Sequence, residues 1–310
     1  IVDGVSQTHG LSGQAASQTG LLKGTPVALA YVDVVCTGLA AGLCAPETAT
    51  GCTIVGSTGM HMRATPADDV RLGAAPSGYI MVLPVPGKVA QIQTNMASTL
   101  NIDWLLGLGA DLIEEMGGTV SHADLVARIE DWLARTQPGE VIYHPYISEA
   151  GERGPFIDTN ARAGFAGLGS KHGFADLLRA VIEGLGYAAR DCYDAMGGTP
   201  TEVRLTGGAA RSASLRKIFS AALGASVRTT SREEAGAAGA AMTAAVAIGA
   251  YADMNACIAD WVQPLLGPSE APDTALASLY NALYPAYRTM RKDAAPIWAT
   301  LATIKETHNA

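Results

Sequence analysis

Apolar positions along the chain fall into two kinds of run. Short runs bounded by turn residues predict strands at Val27–Val32, Cys52–Val55, Tyr79–Val85, Val89–Thr94, Val141–His144, Glu202–Leu205 and Ser226–Arg228. Pro86-Gly87 reads as a hairpin turn between the third and fourth of these. Longer runs with helical spacing follow. Ser121, with Asp124 three residues on, is a plausible N-cap for a helix whose stripe is Leu125, Ile129, Trp132 and Leu133. A long helix is predicted over Phe174–Met196, with Leu177, Leu178, Val181, Ile182, Leu185, Ala189 and Cys192 on one face and Gly197-Gly198 as its stop. Helices are also expected over Ser212–Leu223 and Arg232–Ile248, and over Thr274–Leu301 with interruptions at Pro285 and Pro296. Residues 1–25 are polar and glycine-rich, with little periodicity. The tight strand–turn–helix order after Glu202 argues for α/β layering.

Composition sharpens this picture in a few places. The chain has 310 residues, 48% hydrophobic and 16% charged, enough for one large domain or two modest ones. Its 35 glycines and many alanines let helices lie close to a sheet. The net charge of −8 argues against nucleic-acid binding. Five scattered cysteines, with no CxxC pair, read as reduced, buried thiols of a cytoplasmic protein, with neither a metal site nor a disulfide framework. The most membrane-like run, Ala235–Ala252, is mostly Ala and Gly and too weakly apolar for a span. The chain opens at Ile1 with no signal peptide and no initiating methionine, so it is expected to begin inside a longer protein or to have been trimmed.

Three segments carry candidate chemistry. In Leu205–Ser212 a strand runs into Gly207-Gly208 and then a helix start, where close backbone approach and free N–H groups suit a nucleotide; an ordinary strand–helix turn has the same form. Gly56-Ser57-Thr58-Gly59 is a hydroxyl-rich turn that fits either phosphate oxygens or a plain hairpin. Asp33 follows an apolar strand and precedes a small, apolar stretch, so it either caps a helix or accepts a proton from a substrate hydroxyl, or does both. Two look-alikes drop out. Gly164–Lys171 has P-loop spacing but reverses the Lys-Ser order, and Gly107-Leu108-Gly109 lacks a third glycine. His61, His122, His144 and His172 have no ligand spacing and suit surface or supporting roles.

Together and in this order, these segments resemble the FGGY carbohydrate kinases. Ala163–Glu183 fits the family's second signature, through Gly167, Asp176, Leu177 and Ala180–Glu183. GGAARS at 207–212 looks like its adenosine motif, GSTG at 56–59 like its second phosphate motif, and Glu233–Ala241 like the helix start that follows. The resemblance covers the chain from Gly20 to about Trp261.

The resemblance implies an α/β, actin-like ATPase and ribonuclease H-like fold, ATP and Mg²⁺ as cofactors, and phosphoryl transfer to a small polyol or sugar. It makes Asp33 the catalytic base, although Ala30-Tyr31-Val32 stands where many members carry glycines. Gly56, Ser57, Thr58 and Gly59 would hold phosphate; Ala163, Gly164, Gly167, Gly207, Gly208 and Ala209 would line the nucleotide, and Ser212 would bond adenine. Val34 and Met60 would face the substrate, and no metal ligand is assigned. The division implied is 1–40 as the end of a sugar-binding domain, 41–265 as the ATP-binding domain and 266–310 as a helical tail. An N-terminal domain of roughly 200 residues, carrying a DxGT phosphate loop and most Mg²⁺ contacts, is expected upstream, and the fragment alone is expected to be inactive. An apolar face around residues 1–40 should await that domain; a homodimer is also compatible. GSTGMHMRA, YHPYISEAGERGPF and FADLLRAVIEGLGYAARDCY resemble the erythritol-phosphorylating members, with pentulose kinases as close competitors. The rival class is a non-catalytic, actin-like nucleotide-binding module.

Overall fold

The computed structural model describes residues 3–45, 50–73 and 75–308. Its centre is a six-stranded sheet built from β3 (Thr50–Val55), β4 (Gly59–Pro66), β5 (Tyr79–Val82), β6 (Lys88–Asn95), β9 (Glu202–Thr206) and β10 (Ser226–Thr229). The spatial order is β10-β9-β3-β4-β6-β5. β3, β4, β6 and β5 pair antiparallel, while β9 joins β3 in parallel and β10 joins β9 in parallel. Two smaller ribbons flank it: β1 (Thr8–Gly10) with β2 (Pro26–Ala28), and β7 (Ile142–His144) with β8 (Gly164–Ala166).

Strand alternation sends side chains to two cores, one on each face. Val55, Val203, Leu205 and Val227 join a core with α3 (Thr99–Glu115), α5 (Ile129–Ala134), α6 (Phe174–Ala195), α7 (Ala213–Leu223) and α10 (Thr274–His308). Cys52 and Met62, with Ile54 and Met60 at the margin, join a core with α2 (Asp33–Ala40), α8 (Ala235–Ala247) and α9 (Met254–Trp261). The small residues of α8 have a specific use. A Cβ on Gly239 would lie 1.9 Å from the Cys36 carbonyl oxygen, so α2 and α8 touch backbone to backbone.

Several expectations need adjustment. The strand expected through Val32 stops at Ala28, and the chain then passes Ala30 at φ 52° before α2 begins at Asp33. The helix expected after Ser121 does start on a capping box, but it is two short helices, α4 (His122–Val126) and α5. The helix expected from Arg232 starts at Ala235. α10 runs unbroken through Pro285 and Pro296, because Tyr280, Tyr284 and Tyr287 bury one face of it and tertiary packing outweighs the lost backbone bonds. α1 (Gly13–Thr19) and α3 are additional elements; glycines 107 and 109 dilute the stripe of α3. Of the two roles open to the histidines, His61 and His144 take the supporting one, since both are buried. All five cysteines are free and buried, and burial pushes Cys44 and Cys52 up to about 12. No helix among the described residues is long and apolar enough to cross a membrane.

Candidate active site

The parallel strands β3, β9 and β10 deliver their carboxyl ends to one edge of the sheet, the place where open α/β sheets receive ligands. Ile54 is in register with Thr206, so the Gly56 turn and the Gly207 turn leave the sheet side by side. Gly207 has φ 96°, and a Cβ there would sit 2.5 Å from the Val55 carbonyl oxygen; only glycine lets the two turns touch. The next residue differs. Nothing lies within 4 Å of where a Gly208 Cβ would stand, so its backbone is open to a ligand. The opening is a cleft of about 360 Å³, lined by Thr206, Gly207, Gly208, Arg211, Thr230 and Arg232 among others.

Gly56–Gly59 links β3 to β4, with Ser57 and Thr58 exposed at its tip. Its carbonyls are held from behind: the Ser98 N–H donates to Ser57 O at 2.7 Å and the Thr99 N–H to Gly56 O at 2.9 Å. The start of α3 therefore fixes the turn. Beneath it lies a buried polar network. His61 bonds Asn95 Oδ1 at 2.9 Å and Thr53 Oγ1 at 3.2 Å, and Thr53 bonds the Tyr193 hydroxyl. Burial lowers His61 to about 4, against the opposing effect of the hydrogen bond that its Nε2–H donates to Asn95, so the ring is neutral. Asn95 extends this network by donating to the Gly154 carbonyl at 2.7 Å, and Glu152 lies next to it. Its Oε1 accepts the Met96 N–H at 2.9 Å and the Arg153 N–H at 2.8 Å, while burial raises it to about 7.

Asp33 is the first residue of α2, exposed, with Oδ1 accepting the Val34 N–H at 2.8 Å. Gly236 of α8 stands beside it, a Cβ there falling 4.0 Å from the Asp33 carbonyl oxygen. Because Glu233 lines the cleft and α8 begins two residues later, Asp33 lies at the cleft end of the α2–α8 pair. Val34 is buried in the core and Met60 half-buried at its margin.

The remaining expected residues separate. Ala209 follows Gly208 in a single 3-10 turn. Ser212 caps α7, accepting the Leu215 N–H at 3.0 Å and donating to Glu130 Oε1 at 2.6 Å. Ala163, Gly164 and Gly167 stand at the β7–β8 ribbon, where Gly164 faces Met290 and Gly167 faces the Glu140 carbonyl.

Sequence reasoning passed over Glu130 and the cationic side of the cleft. Arg216 is tied to Glu270 at 2.8 Å and Arg232 to the Trp261 carbonyl, while Arg211 stands exposed 4.0 Å from Glu233. The hydroxyl triplet Thr229-Thr230-Ser231, directly after a strand, was the available signal for this wall. The open backbone at Gly208, the hydroxyls and the arginines suit a polyphosphate. Among the described residues no group of three or more His, Cys, Asp or Glu side chains could hold a metal ion.

Residues 51–248 match the C-terminal domain of the FGGY family of carbohydrate kinases, and the chain belongs to that family. It is 57% identical over 305 residues to erythritol kinase of Brucella abortus, covering 98% of this chain and 59% of that protein. Against xylulose kinase of Escherichia coli the identity is 27%, over 79% of this chain and 48% of that one. Among solved structures, ligand-bound xylulose kinase from Lactobacillus acidophilus superposes with a TM-score of 0.80 at 19% identity, covering 94% of this chain and 56% of that one. The fold is the actin-like, ribonuclease H-like one of the sugar kinases. The chain thus spans about half the length of these relatives, from 48% to 59%.

Proposed function

We propose that the chain is the nucleotide-holding part of a kinase that transfers the γ-phosphoryl group of ATP to a hydroxyl of a small polyol, erythritol being favoured. The reading is supported chiefly by the contact between the Gly56 and Gly207 turns, which sets a phosphate turn against an open nucleotide turn. The 57% identity to an erythritol kinase supports the substrate, and the xylulose kinases among the relatives make pentuloses the second choice.

On this reading Ser57 and Thr58 hold phosphate oxygens, Gly208 and Ala209 leave room for the nucleotide, and Ser212 meets the base. Asp33 takes the proton of the attacking hydroxyl as its oxygen bonds the γ-phosphorus and the bond to the ADP oxygen breaks. Asp33 Oδ1 is already engaged by the Val34 N–H, leaving Oδ2 for that proton. Mg²⁺ would neutralise the phosphates, and nothing here is routed through it. Leu21, Leu22, Val27, Leu29 and Val32 are exposed on the first forty residues, an apolar surface that suits cover by the N-terminal domain such kinases carry. Residues 41–265 then form the ATP-binding part and 266–310 the tail.

ATP consumption by the full-length protein with erythritol, glycerol, xylulose and ribulose tests this. Erythritol should drive turnover, and Asp33→Asn should reduce it ~100-fold or more. Nucleotide binding without turnover on any of the four would leave a binding module instead.

A further inference from the structure

Ser212 ends the turn that lines the cleft, and two neighbours specify its hydroxyl. As the N-cap of α7 it accepts the Leu215 N–H at 3.0 Å, and it gives its single proton to Glu130 Oε1 at 2.6 Å. Glu130 reaches across from α5 and gathers further donors at the same helix start. The Ser214 hydroxyl donates to its Oε2, and the Ser214 N–H donates to Oε1 at 3.4 Å. Partial burial works against the charge, but the bonds from Ser212 and Ser214 outweigh it and hold the carboxyl below its usual range. Glu130 is therefore ionised near neutral pH, and an ionised carboxylate can only accept.

The consequence lies in what is left of Ser212. A hydroxyl has one proton and two acceptor directions. With the proton on Glu130 and one acceptor direction on Leu215, only one acceptor direction remains. We propose that Glu130 is a nucleotide-specificity determinant: it fixes Ser212 as a one-way acceptor, which takes an N–H from the exocyclic amino group of adenine and rejects the carbonyl that guanine carries at that position. α5 thereby takes part in base selection although it lines none of the cleft. This inference rests on the reading that the base lies at Ser212. Without Glu130 the hydroxyl could rotate and donate to a carbonyl, and the discrimination would fall.

The experiment is calorimetric binding of ADP and of GDP to the full-length protein and its Glu130→Ala and Ser212→Ala variants, with thermal unfolding of each. Glu130→Ala should lower the ADP-to-GDP affinity ratio about tenfold, mainly through tighter GDP binding, the scale expected when a misdirected polar group is relieved. Ser212→Ala should weaken ADP binding and lower the ratio as well. A ratio within about twofold of the parent in Glu130→Ala, with Ser212→Ala still effective, would reduce Glu130 to a cap of α7 and overturn the inference while leaving the kinase reading intact. Tight ADP binding untouched by Ser212→Ala would overturn it by removing the base from Ser212. Failure of the parent protein to bind ADP at all would remove the kinase reading and this inference together.

Discussion

Two glycines three residues apart on α8 should respond oppositely to the same change. At Gly239 an added methyl would stand 1.9 Å from the Cys36 carbonyl oxygen and 2.5 and 2.6 Å from its carbonyl carbon and Cα. These are backbone atoms of a buried helix and cannot rotate away. Reaching ordinary van der Waals distance requires α8 to retreat from α2 by about 1.5 Å, which opens gaps along the core formed by Val35, Leu39, Met242 and Cys257. Overpacking of this kind costs about 1–3 kcal/mol, which matches or exceeds the gain of up to about 1 kcal/mol from replacing a helical glycine with alanine. At Gly236 the same methyl meets Thr37 Oγ1 at 3.5 Å and the Asp33 carbonyl oxygen at 4.0 Å, both ordinary contacts. There the helix-propensity gain of up to about 1 kcal/mol stands unopposed. Urea unfolding of the full-length protein and the two variants gives both numbers from the midpoints at constant slope. Gly239→Ala should lower the midpoint and Gly236→Ala should hold or raise it. Because α2 carries Asp33, Gly239→Ala should also slow turnover. Equal midpoints for the two variants would refute the close α2–α8 contact.

His61, whose pKa burial lowers to about 4, stays neutral in the fold while the unfolded chain takes up a proton near 6.5. Stability present above 6.5 is therefore lost as pH falls toward 4, on the order of 3 kcal/mol, and His61→Gln should flatten the fall in unfolding midpoint across that window. Glu152 acts with the opposite sign: its raised value of about 7 favours the protonated fold, so its contribution is full below 4.5 and lost as pH rises to 7. Glu152→Gln should gain on the parent through that window, and parallel curves would contradict the burial argument. Gly207→Ala, at φ 96° and against the Val55 carbonyl, should weaken ADP binding tenfold or more by separating the two turns, read by calorimetry. All five cysteines should react with a thiol reagent only on unfolding, and a fast native phase would show an exposed thiolate.

Much of this site was legible locally. Gly207-Gly208 after a strand, Gly56–Gly59 after another, and Asp33 before an apolar stretch each follow from rules that span a few residues. The Ser121–Asp124 capping box and the stripe of α6 were fixed by the same short-range chemistry. Such rules work because capping, turn geometry and amphipathic spacing are satisfied within one or two turns of chain. They failed where distant packing overrode them. The prolines of α10 looked like breaks until three buried tyrosines held the helix together, and which histidines would be surface and which supporting was settled only by packing, which walls in His61 and His144.

Position in space was decided by tertiary structure alone. Nothing in the sequence says that β3 and β9 are parallel neighbours, and that register is what presses the Gly56 turn against Gly207. Signature residues Ala163, Gly164 and Gly167 stand at the β7–β8 ribbon, whose pairing the sequence does not announce. Glu130 had no motif at all, and it acquired a partner 82 residues away only when α5 packed beside α7. The sequence determined which segments could form turns, caps and helices, because those depend on neighbours in the chain. The fold determined which of them share a cleft, because that depends on strand order and on helices close enough to need glycine between them.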